Sequence, residues 1–151
     1  MKSVFLRHHG AFLAGLIDKT TLPISIRRIE IEENHFYELN SSIGLYVTYS
    51  TKRLSPWTVT FTQDHVKAIF DKMKIYEDFF LVIVCEFNFS AVINRNEISD
   101  LLSPSRIQAS SITIRTGHDK SLAISGSEGD LKRKLLKSKA YDQILELISN
   151  A

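Results

Sequence analysis

The run Phe79-Phe80-Leu81-Val82-Ile83-Val84-Cys85 is apolar at every position and shows neither a period of two nor one of 3.6. A half-exposed strand alternates and an amphipathic helix carries a stripe, so a short unbroken run reads as a strand covered on both faces. This segment is the spine from which the rest of the fold is read.

Toward the amino terminus, Thr62 is a good N-cap for a helix over about residues 63–75, where Val66, Ile69, Phe70 and Met73 recur at three and four positions. Before it, Trp57-Thr58-Val59-Thr60-Phe61 alternates and sets Trp57, Val59 and Phe61 on one face, which reads as core. Residues 36–39 and Leu45-Tyr46-Val47-Thr48-Tyr49 have the aromatic and β-branched content of strands, with Asn34-His35 turning the chain before them. Ile24 and Ile26 alternate, then Ile29 and Ile31 do so in the opposite phase, which predicts a kinked edge strand with a bulge at Arg27-Arg28. Residues 3–18 read as a short strand entering a helix, with Phe12, Leu13, Leu16 and Ile17 at helical spacing.

Toward the carboxyl terminus, Ala91-Val92-Ile93 pairs back as a short strand. Asn94 with Glu97 has the layout of a capping box for a helix ending near Leu102. Ser111 to Arg115 and Leu122 with Ile124 form a hairpin about Thr116-Gly117-His118-Asp119, and Ser138 caps a last helix bearing Tyr141, Ile144, Leu145 and Ile148. The expectation is an α+β fold: a single-layer mixed, mostly antiparallel sheet with helices packed on it and residues 79–85 at its centre. No repeat, linker or low-complexity tract interrupts residues 1–151, so one domain is expected.

One cysteine, Cys85, excludes a disulfide framework and sits where a thiol behaves as a small hydrophobe, which predicts a reducing, cytoplasmic setting. Arg7, His8 and His9 break the apolar start before a signal-peptide core forms, and no apolar run approaches the roughly 18 residues of a membrane span. The five histidines show neither H-x-H nor H-x-x-x-H spacing, so no metal or cofactor is expected. Gly126-Ser127-Glu128-Gly129 lacks the register of a nucleophile elbow, and Glu128 would repel a phosphate in a KH-type clamp; it reads as a turn.

The order hairpin, helix, apolar strand resembles the core of restriction-endonuclease-like nucleases over roughly half the chain. That family places an Asp on one strand and Glu-x-Lys on the next to hold Mg²⁺, whereas the corresponding strand here, Leu45-Tyr46-Val47-Thr48-Tyr49, has neither carboxylate nor lysine. The resemblance therefore implies no site residues. A Mg²⁺-dependent nuclease or phosphodiesterase is left with Asp119, Glu128 and Asp130 as the clustered acids.

Net charge is only +2, from 19 basic and 17 acidic residues, so the distribution carries more information than the sum. Lys132-Arg133-Lys134-Leu135-Leu136-Lys137-Ser138-Lys139 holds five cations in a stretch expected to lie free in water, and Lys52-Arg53 adds two in a loop beside Tyr49 and Trp57. These seven residues are the candidate contacts to a nucleic-acid backbone or an acidic protein surface, in a non-enzymatic binding protein. A second reading is sheet-edge pairing with another chain, or with a second copy, through residues 24–31 or the hairpin carrying Ile112 and Ile124.

Overall fold

The computed structural model describes residues 2–29, 35–86, 89–117 and 119–150. It is an α+β fold with four α-helices, but its strands divide between two sheets instead of forming the expected single layer. The first sheet has the order β1-β2-β3-β5-β6, built from β1 (Ile26–Arg28), β2 (Phe36–Leu39), β3 (Ile43–Tyr49), β5 (Asp78–Glu86) and β6 (Phe89–Asn94). Its first three strands are antiparallel, β3 and β5 are parallel, and β6 returns antiparallel. The second sheet has the order β10-β8-β7-β4, from β4 (Trp57–Phe61), β7 (Ser110–Thr116), β8 (Ser121–Gly126) and β10 (Leu135–Leu136), with β9 (Gly129–Asp130) also pairing β8.

The side chains explain the division. Along β5, Phe79, Leu81, Ile83 and Cys85 enter the core between the sheets, while Phe80, Val82 and Val84 enter a second core on the opposite face. That second core is closed by Phe12 and Leu16 of α1 (Lys2–Lys19) and by Ile144 and Ile148 of α4 (Asp142–Ser149). A strand buried on both faces has no reason to alternate. The second sheet has water on one side, and β4 accordingly buries Trp57, Val59 and Phe61 while exposing Thr58 and Thr60.

Helix α2 (Gln63–Ile75) starts where the Thr62 hydroxyl accepts from the His65 N–H at 3.2 Å, and it buries Val66, Ile69 and Met73 between the layers. Helix α3 (Arg95–Leu101) has the expected capping box: Asn94 Oδ1 accepts from Glu97 N at 3.0 Å and Glu97 Oε1 from Asn94 N at 3.1 Å. The glycine loop after β8 is where α3 docks. A Cβ on Gly126 would lie 2.5 Å from the Leu101 carbonyl oxygen, which itself accepts from Glu128 N at 3.1 Å. The loop is thus a turn that glycine permits by close approach.

Five local expectations change. No bulge forms at Arg27-Arg28, because β1 pairs β2 in unbroken register from Ile26 to Arg28. Residues 3–18 are helix throughout, within α1. Ser138 caps nothing: it lies in a 3-10 turn, Lys137–Lys139, and α4 begins later with Tyr141 at its N-cap. The hairpin of β7 and β8 offers no open edge, because β4 pairs β7 outside it and β10 and β9 pair β8. Asp130, expected in a loop, is in the short strand β9. The outer strand β1 covers part of the predicted edge; Ile31, Asn34 and His118 lie outside the described residues.

Candidate nucleic-acid interface

Parallel strands β3 and β5 end side by side at Tyr49 and Glu86, and the ladder extends one step further as Ser50 N donates to Val84 O at 3.1 Å. Carboxyl ends of parallel strands leave a crevice where loops diverge. Here it is an open cleft of about 540 Å³ lined by His8, Ser50, Thr51, Lys52, Arg53 and Glu86, with Cys85 at its floor. His8 reaches it from α1, donating from Nδ1 to Val4 O at 2.8 Å and stacking on Tyr49 with centroids 4.3 Å apart.

The loop carrying Lys52 and Arg53 is pinned from the core. Trp57 Nε1 donates to Lys52 O at 2.9 Å, Lys52 N to Ser50 Oγ at 3.3 Å, and Thr116 N to Ser55 Oγ at 3.0 Å. Trp57 is a core residue, as its alternation predicts, and only its N–H faces the loop. Both loop cations are exposed.

The second basic segment is a strap. Leu131 N donates to Ile124 O at 2.9 Å, Leu135 is buried as β10 pairs β8, and the following 3-10 turn packs on β6. The strap therefore crosses from the outer strand of the second sheet to that of the first. It is not wholly free in water: Arg133 donates from Nε at 2.9 Å and Nη2 at 2.7 Å to Glu97 Oε2, and Lys137 Nζ lies 4.2 Å from the Phe89 ring centroid. Lys132, Lys134 and Lys139 are exposed. Glu128 pairs with Arg106 at 3.3 Å, outside the strap.

The two basic segments meet through aromatic rings. Phe89, under Lys137, stands edge-on to Trp57 at 5.3 Å, and Trp57 holds Lys52. The Lys137 charge also acts on the Cys85 thiol, although burial dominates and pushes that thiol up to about 12. Cys85 is a core residue with no thiolate to offer near neutral pH.

The three acids proposed for Mg²⁺ have separate engagements. Asp119 accepts from Ser121 N at 3.2 Å and Ser121 Oγ at 2.5 Å, which hold its carboxyl below the usual range; Glu128 is on Arg106; Asp130 is in β9. Among the described residues no group of three His, Cys, Asp or Glu side chains could hold a metal ion.

A polar cluster under α1 escapes the sequence reading. Arg28 Nη2 donates to Tyr37 Oη at 3.0 Å, and that hydroxyl can then donate to His9 Nδ1 at 2.9 Å, placing the proton of the neutral imidazole on Nε2. His9 is 1% exposed, and its Nε2 has no partner among the described residues. Burial first, then the charges of His35, Arg28 and His8, bring its pKa down to about 3. The usable signal was the spacing His9, Phe12, Leu16, which puts His9 on the buried stripe.

Glu38 was equally silent. It accepts from Tyr76 Oη at 2.5 Å and Arg27 Nη2 at 2.8 Å, and the two bonds hold its carboxyl below the ordinary range. No protein-family model matches the chain, and neither a curated protein nor a solved structure matches it.

Proposed function

We propose that the protein is a non-enzymatic binding module for a polyanion, the backbone of a nucleic acid, which lies along a strip from Lys52 and Arg53 over Lys137 to Lys134 and Lys139. Lys132 and Arg133 flank the strip, Arg133 as a member of an ion pair. One contact chain carries this reading: Lys137, Phe89, Trp57 and the Lys52 backbone carbonyl are linked in space, which ties basic segments 85 positions apart to one buried pair of rings. The opposite end of β5 supports it by contrast, since the cleft there is lined by three acids, Glu77, Asp78 and Glu146, and one cation, Arg95. A lone buried thiol suits a reducing compartment such as the cytoplasm, and no helix among the described residues is long and apolar enough to cross a membrane.

Stacked His8 and Tyr49 beside the loop cations favour single strands, whose bases have free faces. Fluorescence anisotropy of labelled single- and double-stranded DNA and RNA over a salt series tests this. Five phosphate contacts give a log–log slope of about −3.5 for single strands. Reversing Lys52, Arg53 and Lys137 together to Glu should abolish binding; retention of affinity in that variant, or no binding at low salt, rejects the proposal.

An acidic protein surface is the alternative occupant of the same strip, and pull-down of acidic partners instead of nucleic acid would favour it. Edge pairing has one supporting observation, the outer position of β1. Its three-residue length and its Arg27 and Arg28 are features that blunt an edge.

A further inference from the structure

A recess of about 110 Å³ opens where the outer strand β6 meets the strap, lined by Ser90 of β6, Arg133, Lys134 and Lys139 of the strap, and Gln143 of α4. Pockets that enclose a whole small molecule start at about 300 Å³. This one admits a single functional group and no nucleoside.

Its charge follows from the partners of its walls. Arg133 is matched by Glu97, whose other oxygen is held by the Asn94 N–H, so that pair contributes little net charge. Lys134 and Lys139 remain, two positive charges, of which Asp119, ionised and held by Ser121, offsets part of that on Lys134. The Gln143 carbonyl accepts from Asn94 Nδ2 at 3.2 Å, which leaves the amide N–H₂ as the end able to donate. Ser90 adds a hydroxyl. Two ammonium groups, an amide N–H and a hydroxyl form a donor set for an oxyanion. A phosphodiester carries one negative charge, whereas a phosphate monoester carries about 1.5 to 2 at neutral pH and matches two lysines better.

We propose that this recess seats one phosphate monoester, the terminal phosphate of a nucleic-acid strand whose backbone then follows the strip past Lys137 toward Lys52 and Arg53. The identity of the strand rests on the polyanion reading; the seat itself does not.

Two probes separate them. Single-stranded oligonucleotides of one sequence, bearing a 5′-phosphate, a 3′-phosphate or only hydroxyl ends, are compared by anisotropy, and inorganic phosphate is titrated into labelled protein by NMR. One phosphorylated end should bind about tenfold tighter than the hydroxyl form, the effect of one charge-assisted contact, and identifies which end is read. Inorganic phosphate should shift the Gln143 side-chain amide. Lys134→Ala with Lys139→Ala, both exposed, should remove the end preference and the shift while the fold persists. Equal binding of all three oligonucleotides without a phosphate shift overturns the seat and leaves the strip. A phosphate shift with no oligonucleotide binding keeps the seat and overturns the strand; neither effect overturns both.

Discussion

Glu97 and Arg133 meet at 2.7 Å across 36 positions of sequence, and the same carboxylate closes the capping box of α3 through its other oxygen. One side chain thus sets the start of a helix and the height of the strap over the sheet edges. Glu97 is 9% exposed while the Arg133 side chain is half exposed, so water reaches the ion pair from the arginine side only.

Glu97→Ala removes the carboxylate half of the capping box and the ion pair together and should cost about 2 kcal/mol in urea denaturation, with faster proteolysis within residues 131–139. Glu97→Gln keeps a carbonyl for the Asn94 N–H and loses only the charge on Arg133. It should fall between the two, and equal stability of all three proteins would contradict the dual role.

Trp57→Phe keeps an aromatic ring against Phe89 and deletes the N–H that holds Lys52 O. The expected loss is about 1–2 kcal/mol of stability. Oligonucleotide affinity should fall as well, though no cation is touched. Unchanged affinity would mean that the loop needs no anchoring for the strip to work.

His9 makes folding sensitive to mild acid. Its folded pKa of about 3 lies below the ordinary 6.5, so beneath pH 6.5 the unfolded chain takes up a proton that the folded chain does not. Its contribution to stability is complete above pH 6.5 and is lost as pH falls toward 3, with a slope of at most about 1.4 kcal/mol per pH unit. Glu38, also held below its ordinary 4.5, and Asp119 act in the same direction, but only in more acidic solution. Between pH 6.5 and 4.5, His9→Asn, which keeps an acceptor for Tyr37 and cannot titrate, should flatten the stability profile. Parallel profiles for the two proteins would refute the assignment.

Cys85 should resist alkylation at pH 8 in the folded protein and react at the rate of global unfolding, because its thiol is buried and its pKa stands near 12. Iodoacetamide labelling followed by mass spectrometry reads this directly. Fast labelling of native protein would show that the cleft floor opens on its own.

What the sequence disclosed follows the periodicities. The unbroken run 79–85 and the alternation of Trp57, Val59 and Phe61 were both legible, and their difference is also the difference between the two sheets. Assigning them to separate layers required knowing that β4 pairs with β7, a partner 55 positions away in the Thr58–Thr113 register, and pairing distance leaves no local mark. The amino-terminal helix was obscured because Val4, Phe5 and Leu6 suit a strand equally well, and packing of His9, Phe12 and Leu16 on the sheet decides for helix.

The strap shows the same limit at the site. Its cations mark it as surface, while the anchors Leu131 and Leu135 among them mark it as attached, and the second signal is the weaker in a charged stretch. The union of Lys52 with Lys137 was invisible, because two rings far apart in the chain, Trp57 and Phe89, mediate it.

The alternate side chains of β5 belong to opposite interiors, which makes this strand a party wall between two rooms. Neither room can be emptied while the other stays furnished, since pulling Phe80, Val82 and Val84 away from α1 and α4 drags Leu81, Ile83 and Cys85 out of register beneath the second sheet. Melting followed separately at the helices and at Trp57 should therefore trace one curve, and a ligand gripping the top of that wall would steady both sides at once.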